Sequence, residues 1–291
     1  MTNKKIYILM VFCTVFWAGA FIAGKYTVPY IPTFTLTFLR FFFATIILYF
    51  VMKRMKAPFK LEKSHAPIFL FTGTVGMFGY HVLFFSAIKY TTAINSSIIS
   101  ATSPIITVLL AFIFLKNKLT IKQSAGVVIS FIGVVLTITG ASIDVITSFS
   151  INIGDILMLA AVFSWASYGI FSKMKGEGIP SIILTYYSFL VCTIILIPFM
   201  IYERPWTFLL YIPIKVYIAV LYMSVFPSVI GYLVQQMAIK QIGPSKATNF
   251  VNLVPVFSII LAVIILGETL EPIKLLTAGM IIAGVLICQR N

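Results

Sequence analysis

Arg40 is the residue of this chain with the most chemistry to explain, because its guanidinium is set inside the apolar run "TFTLTFLRFFFATIILYF". It lies about eight residues from the start of that run, or ~12 Å at about 1.5 Å per helical residue. A central arginine in a membrane helix costs about 2.5–3.5 kcal/mol and turns toward the bundle interior or a wet cavity. Two readings are open. The guanidinium could grip a carboxylate or phosphate of a bound molecule, or it could be a structural group tied to backbone carbonyls.

His81 is the only histidine inside an apolar span, and an ordinary pKa near 6.5 suits proton handling. A plain hydrogen-bonded histidine is the alternative. The seven carboxylates, Glu62, Asp144, Asp155, Glu177, Glu203, Glu268 and Glu271, all fall in connectors or at helix ends, so no buried acid is expected as a proton carrier. An enzyme needs a nucleophile–base or metal constellation. Two histidines without an intramembrane carboxylate supply neither, so no catalytic residue, metal site or cofactor is expected. Cys13, Cys192 and Cys288 sit in apolar runs as small hydrophobes.

Polar residues recur at helical spacing. Ser96, Ser100, Ser103 and Thr107 share one face, as do Ser245, Asn249 and Asn252, and Ser224, Ser228, Tyr232 and Gln235. A polar stripe in lipid must face protein or water. Close helix packing explains the serines, whereas the larger amides Gln235, Asn249 and Asn252 suit a cavity better. Trp17 and Trp165 lie mid-span, away from the interfacial belt. With Tyr168 and Ser172, which share the face of Trp165, they could form an apolar, cation-tolerant wall, and plain helix packing is the alternative. The candidate cargo contacts are thus Trp17, Arg40, Tyr80, His81, Ser100, Trp165, Tyr168, Tyr232, Gln235, Asn249 and Asn252. Pro104 and Pro255, expected mid-helix, are hinge candidates or static kinks.

The elements that hold these residues follow from composition. Of 291 residues, 60% are hydrophobic and only 10% charged, against about a quarter charged in soluble domains. Runs of about 20 apolar residues span membranes as helices. Ile6–Gly24, Thr33–Met52, Ile68–Ile88, Ala93–Leu115, Ser124–Gly140, Ile156–Ser172, Ser181–Ile201, Val216–Ile239, Ala247–Leu266 and Leu275–Cys288 qualify. Continuous runs such as "IITVLLAFIFL" exclude an outer-membrane barrel, whose strands alternate. The net charge of +14 is scattered between helices, which argues against nucleic acid. It fits the positive-inside rule instead. Fifteen basic residues fall on one side, five on the other and one within a helix, which predicts both termini in the cytoplasm. The start "MTNKKIYILMVFCTVFWAGA" has a signal-peptide outline, but its cleavage site would cut a motif that recurs in mid-chain, so it is expected in the mature fold.

That motif is a duplication. Residues 8–52 align without a gap on 156–200, with 17 of 45 positions identical, among them Trp17 with Trp165, Lys25 with Lys173, Phe41 with Phe189, and "TIIL" with "TIIL". At an offset of 151, Pro104 meets Pro255 and Gly133–Val134 meets Gly284–Val285. Self-similarity at a fixed period marks a repeat. The expected fold is an all-α integral membrane protein of ten transmembrane helices, residues 1–147 forming one five-helix unit and 148–291 the other. An odd helix number inverts the second unit, as in secondary transporters whose site lies at the midplane between repeats. Lys25 and Lys173 then mark one helix end on opposite faces, as snorkelling anchors or as gating contacts.

"FWAGAFIAGKYTVPYIPTFTLTFLRFFFA", "ATSPIITVLLAFIFL" and "NLVPVFSIILAVIILGETL" resemble the EamA family of the drug/metabolite transporter superfamily, and the resemblance covers essentially the whole chain. It implies a multi-pass plasma-membrane carrier, monomer or homodimer, moving small organic metabolites by alternating access through a cavity between helices 1, 3, 4, 6, 8 and 9. Export of amino acids or related compounds is the expected activity. Uptake or exchange of nucleotide-like or quaternary-amine compounds is the alternative. The family often has a glutamate after the fourth helix; Glu268 keeps it in "LGETL", but Asn117 replaces it in "LKNKL".

Overall fold

The structure, a computed structural model, describes residues 3–56, 63–115, 120–142, 151–242, 247 and 250–289. Ser245, Asn249 and Asn117 lie outside the described residues. Eight helices are long and apolar enough to cross a membrane: α1 (Lys4–Thr27), α2 (Thr33–Arg54), α3 (Ala66–Tyr90), α4 (Ala93–Phe114), α5 (Ile121–Thr139), α6 (Ile153–Lys175), α7 (Ser181–Tyr202) and α8 (Ile214–Ala238). Two shorter apolar helices follow, α9 (Phe250–Leu266) and α10 (Pro272–Ile287). No strand occurs among the described residues. Only helices satisfy every backbone group without help from a neighbour, so a chain this apolar takes that solution.

Helix starts and breaks follow local chemistry. Pro32 and Pro180, repeat equivalents, precede α2 and α7 with φ −57° and −55°, a torsion fixed by the ring. Thr120 caps α5 through a reciprocal pair with Gln123, the two-way capping box. Pro104 and Pro255 are not mid-helix as expected. A turn at Ala101–Thr102 splits α4 ahead of Ser103, and a tight turn at Phe250–Leu253 precedes the segment that holds Pro255. Each proline therefore sits in a first turn, where the N–H it lacks would have no helical acceptor in any case.

Packing pairs helices with their own repeat equivalents: α2 lies along α7, α5 along α10, and α4 along α9. Equivalent residues meet. The Thr45 and Thr193 hydroxyls are 3.4 Å apart, the Phe41 and Phe189 rings 4.8 Å, and Ser130 Oγ donates to the carbonyl of its counterpart Ile281 at 3.0 Å. Segments wound with i→i+5 hydrogen bonds also recur in register, at Thr72–Gly79 in α3 and Ser224–Ile230 in α8. Such π-turns cluster where helices serve a site.

The two halves are not alike at their edges. Glu203, after α7, accepts from the Phe34 and Thr35 amides at 3.1 and 2.6 Å and from Thr35 Oγ1 at 2.7 Å. Glu268, after α9, accepts from the Ala93 and Ile94 amides at 2.8 and 3.0 Å. Each carboxylate of the second half thus satisfies the unpaired first-turn amides of a first-half helix and complements its dipole. Asp155 departs from expectation: only 1% exposed at the start of α6, it accepts from Thr91 Oγ1 at 2.6 Å. All three contacts lie on the membrane face where α1 ends.

Lys25 joins them there, donating to the Ile88 and Thr91 carbonyls at 2.9 and 2.6 Å, so it caps the C-terminus of α3. Lys173, its repeat equivalent, is exposed. Lys25→Gln is expected to lower stability by about 1–2 kcal/mol through the lost charged hydrogen bonds. Lys173→Gln should stay within about 0.5 kcal/mol. Thermal midpoints of the two variants in detergent check the contrast.

Candidate functional site

A cavity of about 60 Å³ lies between the halves, lined from α1, α2, α3, α4, α6, α8 and α9. That is room for a few water molecules. Six aromatic residues stand in the wall: Trp17, Phe21, Tyr80, Phe84, Trp165 and Tyr232. Among the described residues that line it, Arg40 is the one cation and none is acidic.

Arg40 is 3% exposed. Its Nε donates to Ser228 Oγ at 2.8 Å, and Ser228 Oγ donates in turn to the Met223 carbonyl at 2.9 Å. The local sequence explains that relay. Pro227 has no N–H for the Met223 carbonyl one turn back, and the hydroxyl of the next residue takes its place. The same wide turn frees the Pro227 carbonyl, which accepts from Trp17 Nε1 at 3.2 Å. Gly231 permits this approach, since a Cβ there would stand 2.7 Å from Trp17 Nε1. The Phe41 and Phe85 rings lie 5.8 Å from the guanidinium carbon. Among the described residues, neither terminal nitrogen of Arg40 finds an acceptor and no carboxylate pairs with it. A lone buried ion costs several kcal/mol, and each ring contact returns only about 0.5–2 kcal/mol. The guanidinium is therefore held from behind and left electrostatically uncompensated in front.

Beside it, His81 uses Nδ1–H to reach the Met77 carbonyl at 2.9 Å, while Nε2 faces the Tyr232 hydroxyl at 3.4 Å. His81 and Tyr232 are repeat equivalents. Ser103, 3% exposed, lines the cavity with an Oγ that has no partner among the described residues, whereas Ser100 Oγ is satisfied by the Ser97 carbonyl at 2.8 Å.

The structure brings Trp17, Arg40, Tyr80, His81, Ser100, Trp165 and Tyr232 to one cavity. Tyr168 stands behind the wall, its ring 5.4 Å from Trp165 and its hydroxyl accepting from Gln236 Nε2 at 2.7 Å. Gln235 and Asn252 are buried but are not part of this lining; Gln235 Oε1 and both Asn252 amide atoms lack partners among the described residues. Asn249 lies outside the described residues. Phe21, Phe84 and Ser103 join the site without being expected there. The signal for the two rings is helical spacing, Phe21 at i+4 from Trp17 and Phe84 at i+4 from Tyr80.

Gly76 sets the position of that second layer, because a Cβ on it would come within 2.5 Å of the Tyr168 ring. Gly76→Ala should displace Tyr168, destabilising by about 1–3 kcal/mol as overpacking does. A lower thermal midpoint, together with altered tryptophan emission from Trp165, reports it.

The sequence profile of the EamA-like transporter family matches residues 4–139 and 152–289, one match in each half. An uncharacterized transporter of Bacillus subtilis, YyaM, is 32% identical over 287 residues, covering 98% of this chain and 94% of its own. A probable amino-acid metabolite efflux pump of Salmonella typhimurium is 28% identical over 297 residues, covering 98% of this chain and 95% of its own. One solved crystal structure superposes with a TM-score of 0.68 over 98% of this chain and 96% of that one at 16% identity, a likeness of fold.

Proposed function

This chain belongs to the EamA-like transporter family, and from that premise we propose that it exports amino acids or related metabolites by alternating access through the Arg40 cavity. It is a membrane transporter; the cargo class and direction are our reading. The observation that carries it is the uncompensated guanidinium within an aromatic-walled cavity between the halves. A cargo carboxylate would complete the missing ion pair, and the rings would cover an apolar body. The relative described as an amino-acid metabolite efflux pump agrees with that chemistry.

The duplicated sequence and the meeting of Thr45 with Thr193 and Phe41 with Phe189 support two five-helix units inverted about an axis through α2 and α7. We read the described conformation as closed on the face held by Glu203, Glu268 and Asp155. The helix breaks ahead of Pro104 and Pro255 are the proposed hinges.

A ligand that binds only the folded state stabilises it, by about 2.7 kcal/mol at a hundred times its Kd. In a thermal-midpoint panel of amino acids, carboxylates, nucleotides, quaternary amines and sugars, amino acids or related carboxylates should give the largest shifts. A response confined to nucleotides or quaternary amines would move the assignment to the uptake or exchange alternative.

A further inference from the structure

We infer that the cavity selects its cargo by charge type, taking a small monoanionic carboxylate with an apolar body over the zwitterion, the cation or the dianion of similar skeleton. The inference rests on the reading that this cavity carries cargo. It goes beyond that reading in what it excludes.

The argument is a charge count. One cation lines the site, its two terminal nitrogens have no acceptor among the described residues, and no acid lines the wall. A monoanion brings the enclosed charge to zero with a bidentate contact whose planar geometry suits a guanidinium. Ser103 Oγ, buried and unpartnered, is a further hydroxyl for the same group. A zwitterion also satisfies Arg40, but its ammonium must leave water for a wall that offers ring faces and no carboxylate. Ring faces attract an ammonium only weakly beside the loss of its hydration. A cation meets Arg40 as a like charge. A phosphate monoester carries about −1.5 to −2 at neutral pH, so a single guanidinium leaves it unbalanced. Related compounds with the amino group absent, acylated or replaced by a keto oxygen therefore fit better than the free amino acid.

The test uses four ligands that share a phenyl ring: 3-phenylpropanoate, L-phenylalanine, phenethylamine and phenyl phosphate. Each is titrated against the purified full chain in detergent, with the Kd read from calorimetry or from the thermal midpoint. The monoanion should bind at least about tenfold more tightly than each of the others. Arg40→Gln should erase the preference and bring the four to within about threefold. Arg40→Lys should keep the order with weaker monoanion binding, because an ammonium lacks the paired donors. L-phenylalanine binding as tightly as 3-phenylpropanoate, or more so, would overturn charge selection and leave the carrier reading intact. Binding by none of the four up to about 10 mM, a free energy below about 3 kcal/mol, would overturn both charge selection and the reading of this cavity as the cargo site. Should Arg40→Gln fail to fold, the Arg40→Lys series and the wild-type order still decide the matter.

Discussion

Arg40→Gln should abolish transport while leaving the ligand-free protein at least as stable as the wild type. The two effects have opposite signs for one physical reason. Without cargo, the guanidinium is a buried ion whose only hydrogen-bond partner among the described residues is Ser228 Oγ, and removing an uncompensated charge relieves its desolvation penalty. With cargo, the same group supplies two charged hydrogen bonds, each worth about 1.5–3 kcal/mol. Their loss weakens binding by at least about a hundredfold, since about 1.4 kcal/mol is a factor of ten. A purely structural arginine gives the reverse pattern, with a midpoint lowered by several degrees and efflux from loaded proteoliposomes retained. Measuring both quantities on one preparation separates the roles.

The second large effect is expected at the face where α1 ends. Opening that face must separate Glu203 from the start of α2 and Glu268 from the start of α4. These are charge-assisted bonds at half-buried sites. Glu203→Gln and Glu268→Gln should each raise the population open on that face about tenfold. The double variant should raise it about a hundredfold if the two act independently. The readout is labelling of Ser103→Cys by an impermeant maleimide added from that face, with Cys13, Cys192 and Cys288 replaced by alanine. Unchanged labelling alongside a lower thermal midpoint would make the two carboxylates static helix caps instead.

The equivalent positions of the first half carry no carboxylate. The repeat equivalent of Glu203 is Met55 and that of Glu268 is Asn117. Divergence at these two positions left an acid in the second copy and none in the first.

The sequence by itself determined the membrane class, the helical solution, the duplication and most of the aromatic wall. Those properties follow from hydropathy, from a fixed offset and from residue size, each local or periodic along the chain. Trp17, Tyr80, Trp165 and Tyr232 were legible as cavity candidates because a large aromatic residue in mid-span is unusual wherever it points. Only the tertiary structure shows what surrounds Arg40, because its environment is assembled from α2, the π-turn of α8 and the rings of α2 and α3. It likewise set Tyr168 behind the wall, and placed Gln235 and Asn252 outside the lining, although all three share a helical face with expected or actual lining residues. Helical spacing gives the direction of a side chain only while the winding stays at 3.6 residues per turn. The π-turns at Thr72–Gly79 and Ser224–Ile230 and the break at Ala101–Thr102 shift that phase. Beyond each of them, which residues meet is fixed by how the helices pack.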